Sequence, residues 1–181
     1  MDSVEKRLSG SENTSNKKIR NATASKVKGI TFKSQAEKMV YNTLVSKGIT
    51  PEYEKYTFEL WDGFIPKTPF YDQETDRQHE LRGRQTPKML VQKKDKVVGV
   101  RYTPDFYFKK GDLDVWIEVK GFENDVFYIK KKMFRKFLDD RLSNEGIHSI
   151  FFEIYSKRQL LQALEIIDSY VNSCTEDEGT G

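Results

Sequence analysis

Two short segments, Tyr102-Thr103-Pro104-Asp105-Phe106-Tyr107-Phe108 and Ile117-Glu118-Val119-Lys120-Gly121, decide the fold that we expect for this chain. Successive side chains on a β-strand point to opposite faces of the sheet. If both segments are strands, their apolar residues share one buried face, and Asp105, Glu118 and Lys120 lie together on the opposite face. The apolar row expected on the buried face consists of Phe106, Phe108, Leu113, Val115, Ile117 and Val119.

Two carboxylates and a lysine at one place suit a divalent metal ion and a phosphate group. Magnesium takes oxygen ligands, often one or two carboxylates together with substrate phosphate and water. A bound metal lowers the pKa of a water molecule and stabilises charge on a phosphoryl oxygen. A lysine beside it can orient that water or neutralise developing negative charge. The alternative is a surface cluster of ion pairs, usually contributing less than ~1 kcal/mol per pair.

Composition excludes several classes of site. The chain has 181 residues and a formal net charge of +3, so net charge alone does not indicate a nucleic-acid partner. The single Cys174 rules out an intramolecular disulfide and a multi-cysteine metal site, which fits a reducing compartment. With only His79 and His148, a histidine-built site is not expected. We find no apolar stretch of membrane-spanning length and no secretory pattern.

We expect one folded domain between two unstructured ends. Residues 1–30 are basic and rich in Ser, Asn and Thr, which predicts a disordered arm that either binds a polyanion or is a solvated tail. Residues 31–172 form the predicted domain, including a polar insertion at 63–88 without assigned regular structure. Residues 173–181 form a predicted acidic tail, unstructured from Thr175 onward.

The first half of the domain predicts a helix followed by a strand. Apolar residues recur at helical spacing from Lys33 to Ser46, and Gly48 can end the helix. Glu37 lies at the border of this apolar stripe, where it can face a sheet edge. The segment from Glu52 to Trp61 alternates partially and predicts a strand.

The segment around Pro104 lies among several predicted strands. Met89–Gln92 and Val97–Tyr102 predict two strands joined by a Lys-Lys-Asp-Lys turn, and the Pro104 segment either continues the second strand or forms the next one. Gly111-Asp112 predicts a hairpin turn into a strand over Leu113–Lys120.

Helices flank the last predicted strand, which runs from Ile147 to Tyr155. A helix is predicted from about Asn124 to Leu142, with core residues at Val126, Ile129, Met133 and Phe137, and with Phe134 as a further candidate. Ser156 is expected to cap a last helix carrying Leu160, Leu161, Leu164, Ile167 and Tyr170. The predicted fold class is α/β: a mixed central β-sheet flanked by helices in the order αβββαβ, with an extra C-terminal helix.

The motifs resemble those of the PD-(D/E)XK nuclease superfamily. The signature consists of Pro104-Asp105 and Glu118-Val119-Lys120, preceded by an acid on the first helix. The runs around these residues are most similar to the phage-type endonuclease I branch, which resolves branched DNA such as four-way junctions, and to a related group of small phage nucleases. The resemblance covers roughly residues Phe32 to Tyr155 and implies a restriction-endonuclease-like core.

The resemblance also implies roles for individual residues. Asp105 and Glu118 would bind the metal, with the carbonyl of Val119 as a further ligand, and Lys120 would be the catalytic lysine. Glu37 would complete the site or bind a second metal. The implied metal is Mg²⁺, with Mn²⁺ able to substitute. Three other acids compete for the role of Glu37, namely Glu52, Glu54 and Glu59.

A basic cluster on the helix after the motif is the candidate DNA-binding surface. It either contacts DNA, with an affinity that falls as salt increases, or is the solvated face of the helix. Three arginines of the insertion leave the same choice open. Trp116 either supports the site or packs under a neighbouring helix. The cluster consists of Lys130, Lys131, Lys132, Arg135 and Lys136, and the arginines are Arg77, Arg82 and Arg84.

The expected function is that of a metal-dependent endodeoxyribonuclease acting on branched or junction DNA. Two alternatives remain: a partner-dependent DNA-cleaving subunit of a transposition or restriction system, and a non-catalytic nuclease-fold protein that binds DNA. We expect a homodimer, since paired incisions need paired sites, and we expect neither a membrane nor a small-molecule cofactor. The expected location is the cytoplasm, that of a bacterial host if the protein is phage-encoded.

Overall fold

A computed structural model of the chain describes residues 25–27, 29–75, 88–121 and 125–177. These residues form a mixed α/β fold, which confirms the predicted fold class. The described helices are α1 (Gln35–Ser46), α2 (Asp125–Glu145) and α3 (Lys157–Asp177). The described strands are β1 (Ser25–Val27), β2 (Ile30–Phe32), β3 (Glu52–Tyr53), β4 (Phe58–Trp61), β5 (Phe70–Thr75), β6 (Lys88–Lys93), β7 (Val100–Tyr102), β8 (Phe106–Lys110), β9 (Leu113–Val119) and β10 (Ser149–Ile154).

The central sheet has four strands in the order β10-β9-β8-β3. β8 pairs antiparallel with β9, placing Phe106 opposite Ile117, whereas β9 and β10 are parallel. Gly111 and Asp112 form the turn between β8 and β9, and Gly111 has a φ of 58°, a conformation that glycine adopts without steric cost. Since β3, β8 and β9 follow α1, and β10 follows α2, the central sheet has the predicted order αβββαβ.

One face of the central sheet packs against α1 and α3. The alternating apolar residues of β8 and β9 are buried there, as the sequence predicts. Removing apolar area from water stabilises the fold by roughly 25 cal/mol per Å². Burial of this apolar row therefore determines which side chains of β8 and β9 point toward α1 and α3. Its largest fully buried side chains include Phe106, Val115, Ile117, Val40, Leu44, Leu160 and Ile167.

The opposite face of the sheet is covered as well, by α2 and the antiparallel pair β4–β7. Every residue of β9 is therefore buried. Trp116 packs edge-on against Phe58 of β4 at 5.2 Å and against Phe134 of α2 at 6.1 Å between ring centroids. Of the two roles left open for Trp116, packing under a neighbouring helix is the one observed.

The beginning of the chain corrects one prediction. Most of the expected disordered arm lies outside the described residues, but β1 lies within it and forms an antiparallel hairpin with β2, which extends into the predicted domain. Phe32 is fully buried, and its ring centroid lies 4.9 Å from that of Tyr53. The hairpin is therefore packed against the core through Phe32. Among the described residues, the first element is the hairpin rather than α1. The predicted helix is observed, but it begins at Gln35 rather than at Lys33.

The predicted strand from Glu52 to Trp61 is wrong as a single element. It divides into β3, which joins the central sheet, and β4, which pairs with β7. The division follows Glu54, whose φ of 44° lies in the left-handed region that a continuous strand does not contain.

The predicted insertion contains regular structure, because β5 pairs antiparallel with β6 over its whole length. The expected hairpin between Met89–Gln92 and Val97–Tyr102 is therefore wrong. Instead, Phe64 and Val97 form a bridge, and the main chain crosses closely at Gly63 and Gly99. A Cβ atom would lie only 2.6 Å from a carbonyl oxygen at either glycine, so the crossing needs both.

The core face of α2 differs from the prediction. The further candidate Phe134 is buried as expected, together with Phe127 and Leu138, whereas Val126 and Ile129 are exposed. The predicted core residues Met133 and Phe137 are half-buried. The helix is rotated by one residue relative to the predicted stripe. α3 also continues further than expected, to Asp177. The sequence between Lys157 and Gly179 contains no glycine or proline that would end the helix earlier. The expected unstructured segment is therefore helical from Thr175 to Asp177.

Candidate active site

Asp105 lies between β7 and β8 and is held at two points. Its Oδ2 accepts a hydrogen bond from the backbone N–H of Val119 at 2.7 Å. Its carbonyl oxygen accepts the N–H of Glu54 at 2.9 Å. The first contact joins this acid to the end of β9, and the second joins it to the end of β3. Asp105 is thus fixed where three strands of the fold meet.

Glu118 lies on β9 and is only 5% exposed. Its Oε2 accepts a hydrogen bond from the Tyr102 hydroxyl at 2.6 Å. Its Oε1 forms an ion pair with the ammonium of Lys120. Both carboxylate oxygens have donors, so the side chain has one defined orientation.

Lys120 follows the last residue of β9, and its backbone N–H donates to the carbonyl of Ile154 at 2.9 Å. Its Nζ lies 3.6 Å from the centroid of the Phe127 ring, a cation–π contact with the first turn of α2. The ion pair with Glu118 and this ring together fix the position of the ammonium group. Asp105, Glu118 and Lys120 therefore converge as the alternation predicts.

The two acids of the site carry an unfavourable charge. Burial raises the pKa of Asp105 well above its ordinary value, and the negative charge of Glu118 raises it further. Burial also raises the pKa of Glu118, although Lys120 and Tyr102 oppose this shift. Because the ionised forms are disfavoured, a cation placed between these carboxylates would be electrostatically stabilised.

Glu37 occupies the first turn of α1, where it has a structural role. Ser34 caps the helix by accepting the N–H of Glu37 at 3.1 Å, and the Glu37 carboxylate accepts the Ser34 hydroxyl at 2.8 Å, an arrangement close to a capping box. Oε2 of Glu37 accepts the Tyr53 hydroxyl at 2.6 Å and the N–H of Lys33 at 2.9 Å. The charge of Glu37 also contributes to the raised pKa of Asp105, so this acid lies within electrostatic range of the site.

Glu54 is the best placed of the three competing acids. Its N–H contacts Asp105, and its carboxylate forms an ion pair with Lys33. Burial alone would lower the pKa of Lys33, but the charges of Glu54, Asp105 and Glu37 outweigh it and raise that pKa. The other two competitors are engaged elsewhere: Glu52 with Lys55 and Glu59 with Arg101. Lys33 was not expected at the site, and no pattern in the sequence marks it.

Glu153 is an acid beside the site that was not expected from the sequence. It lies on β10 directly opposite Glu118 in the parallel pairing with β9. Lys131 of α2 contacts both of its carboxylate oxygens, at 2.9 Å and 3.0 Å. The available signal was a single charged residue within the apolar run from Ile147 to Tyr155.

The basic residues of the predicted DNA-binding cluster on α2 are spread around the helix rather than gathered on one face. Lys132 and Arg135 are exposed, and the Nζ of Lys132 lies 4.3 Å from the Tyr128 ring centroid. Lys136 pairs with Asp140. Lys130 is half-buried, and Lys131 is the member that reaches the acids of the sheet. The three arginines of the insertion, Arg77, Arg82 and Arg84, lie outside the described residues.

The donor set fits a hard divalent cation, which takes carboxylate oxygens. As placed, however, no three histidine, cysteine or acidic side chains of the described residues are grouped to hold a metal ion. Asp105 and Glu118 are turned instead toward Val119, Tyr102 and Lys120. A metal bound by both acids would replace some of these contacts. The Val119 carbonyl remains a predicted ligand.

Among the described helices, none is both long and apolar enough to cross a membrane. Comparison of the whole chain with known proteins found no matching family model, no matching curated protein and no matching solved structure.

Proposed function

We propose that this protein is a metal-dependent endodeoxyribonuclease that hydrolyses phosphodiester bonds in DNA. The observation that supports this proposal is the convergence of two acids and a lysine at adjoining strand ends. Asp105 is held by Val119, and Glu118 is held by Lys120 and Tyr102. Burial raises the pKa of both acids. Acids whose pKa values are shifted in this way are found most often at functional sites, because their chemistry requires the shift.

In this proposal Asp105 and Glu118 hold Mg²⁺, for which Mn²⁺ can substitute, and the Val119 carbonyl and Glu37 are further oxygen donors. A bound metal would polarise the scissile phosphate and lower the pKa of a water molecule. Tyr102 holds one oxygen of Glu118, which limits rotation of that carboxylate. Glu37 is anchored by Tyr53 and Ser34, so its negative charge stays at a fixed place near Asp105.

Lys120 is the candidate catalytic lysine. Its ammonium is fixed between Glu118 and the Phe127 ring, at the edge of the sheet where the acids meet. A positive charge held there can bind a phosphate oxygen or orient the attacking water, and it needs little reorganisation during the reaction.

Contacts to phosphates position a protein on DNA without reading its sequence, and we identify no base-reading module in the part of the chain that the structure describes. We propose recognition by shape, with branched or junction DNA preferred over flap and plain duplex DNA. The basic residues of α2 would contact the backbone, a homodimer would cut paired strands, and the cytoplasm would be the place of action.

A second candidate function is a DNA-cleaving subunit that works only beside a partner. It is favoured by the antiparallel pair β5–β6, which leaves large apolar side chains exposed on both of its faces, because exposed apolar surface often marks an interaction site. These side chains are Phe70, Tyr71, Met89 and Leu90. A purely binding role is less favoured, since it gives no reason to keep buried acids beside a lysine.

A substrate panel tests the proposal and separates its alternatives. A four-way junction, a flap and a linear duplex of matched sequence are incubated with the protein in Mg²⁺, and sedimentation gives the oligomeric state with and without junction DNA. Cleavage confined to the junction by a dimer supports the full proposal. Cleavage of every substrate retains the chemistry and discards the junction preference. Metal binding without cleavage of any substrate favours the partner-dependent alternative.

A further inference from the structure

A second acid–lysine pair lies beside the first. Glu118 and Glu153 are register partners on adjacent parallel strands. Each acid is paired with a lysine, Glu118 with Lys120 and Glu153 with Lys131. Both ammonium groups lie over the same aromatic ring, that of Phe127, at 3.6 Å and 5.5 Å from its centroid. The Phe127 ring therefore contacts both lysines, whose acidic partners lie opposite each other on adjacent strands.

Lys131 occupies an unusual position on α2. The buried stripe of this helix contains Phe127, Phe134 and Leu138, and helical spacing places Lys131 within the same stripe. Its side chain is 18% exposed and that of Glu153 is 20% exposed, so the pair is mostly removed from water but still reachable. Ion pairs at such positions often stabilise a fold no more than apolar residues of similar size. Stability alone therefore does not account for a lysine here.

Resting on the proposed function, we propose that Lys131, held in place by Glu153, binds the DNA phosphate next to the scissile one. The site then contacts two successive phosphates of one strand, one through Lys120 and the other through Lys131. An ammonium group is a compact donor that suits a phosphate oxygen. Contact with both carboxylate oxygens of Glu153 holds the ammonium of Lys131 near the Phe127 ring, which Lys120 also contacts. Glu153 is a positioning residue that acts through Lys131.

The test measures DNA binding without any divalent ion. The affinity of each folded variant for a labelled four-way junction is measured in chelator by fluorescence anisotropy over a range of salt concentrations. Each phosphate contact contributes about one unit to the slope of log affinity against log salt concentration. Lys131→Ala should weaken binding at low salt and reduce that slope by about one. Lys131→Arg should keep the slope.

Two further variants make the result specific. Lys109→Ala removes a lysine that pairs with buried Asp114 at the other end of β9, and it should leave affinity and slope unchanged. Lys131→Ala combined with Glu153→Gln removes the acid that would otherwise repel DNA. The reduced slope should persist in this double variant if Lys131 itself contacts a phosphate.

An unchanged slope in Lys131→Ala, or a double variant that behaves as wild type, would overturn the inference. A wild-type protein that fails to bind DNA in chelator would overturn it as well. Because these measurements need no cleavage, they remain decisive if the protein cuts nothing, a result that would count against the proposed function alone. Where cleavage occurs, Lys131→Ala should raise KM more than it lowers kcat.

Discussion

The carboxylate of Asp105 accepts the backbone N–H of Val119 at 2.7 Å, and this one hydrogen bond joins the start of β8 to the end of β9. Glu118 and Lys120 are the chain neighbours of Val119. A single hydrogen bond from a backbone N–H to a side-chain carboxylate therefore brings all three side chains of the signature to one place. The arrangement depends on the register of β8 on β9, in which Phe106 lies opposite Ile117.

Lys120→Met tests whether the ammonium group takes part in the reaction. Methionine keeps an unbranched side chain against Phe127 but carries no charge. We expect cleavage to fall by about a hundredfold or more, as when one preorganised charge-stabilising donor is removed. Single-turnover kinetics measures the effect, with Lys109→Met as the control, since Lys109 lies at the far end of the hairpin. Near-normal cleavage by Lys120→Met would exclude this role.

Asp105→Asn should stabilise the protein when no metal is bound. The pKa of Asp105 is raised by burial and by the charge of Glu118, so the ionised side chain destabilises the fold. Asparagine removes that charge and can still accept the Val119 N–H. Thermal unfolding in chelator should show a higher Tm for Asp105→Asn at about pH 8.

The same comparison has a defined pH dependence. A carboxyl whose folded-state pKa is raised contributes stability at low pH, which is lost as pH rises through that pKa. The advantage of Asp105→Asn should therefore be largest at high pH and shrink as pH falls toward the ordinary aspartate value of 3.8. Adding Mg²⁺ should raise the Tm of wild type more than that of the variant. A variant less stable than wild type throughout would contradict this electrostatic account.

Tyr102→Phe should destabilise the fold through Glu118. The hydroxyl of Tyr102 donates to a buried carboxylate at 2.6 Å, and hydrogen bonds to charged groups contribute about 1.5–3 kcal/mol. Urea denaturation should show a loss of this size. Tyr71→Phe is the matched control, because Tyr71 is exposed on β5 and should change stability by no more than about 0.5 kcal/mol. Equal stability of the two variants would show that this hydroxyl does not hold Glu118.

Two substitutions on α2 test which face of the helix is buried. Phe134→Ala should cost about 3–5 kcal/mol, because Phe134 is fully buried and its ring centroid lies 4.8 Å from that of Tyr102. Ile129→Ala should cost no more than about 0.5 kcal/mol, because Ile129 is exposed. Chemical denaturation of both variants decides the matter. The reverse order would show that the face containing Ile129 is the buried one.

The central part of the fold was predictable from sequence because local alternation controls it. Phe106 and Ile117 had to point into the core, which left Asp105 and Glu118 on the other face. The turn at Gly111 and the cap at Ser156, whose hydroxyl accepts the N–H of Gln159 at 3.3 Å, are also local features that the sequence predicts. The resemblance to nucleases added residue roles that remain predictions.

What sequence could not supply depends on contacts between distant segments. The pairing of Glu153 with Glu118 requires the register of β10 on β9, which no local pattern fixes. The face of α2 was misjudged because Lys131 interrupts its apolar stripe and made the stripe through Ile129 look more regular. β5 was missed because its partner β6 is needed to pair its backbone groups, and its own side chains are mixed in polarity.

Cleavage of a labelled four-way junction by wild type and Glu118→Gln, in Mg²⁺ and in chelator, tests the central claim most directly. Glutamine preserves the size of the side chain and an oxygen for the Tyr102 hydroxyl, but it lacks the charge needed for a metal and for Lys120. The account predicts that wild type cuts in Mg²⁺ and not in chelator, and that folded Glu118→Gln cuts in neither. Equal cutting by the two proteins, or cutting by wild type in chelator, would contradict it.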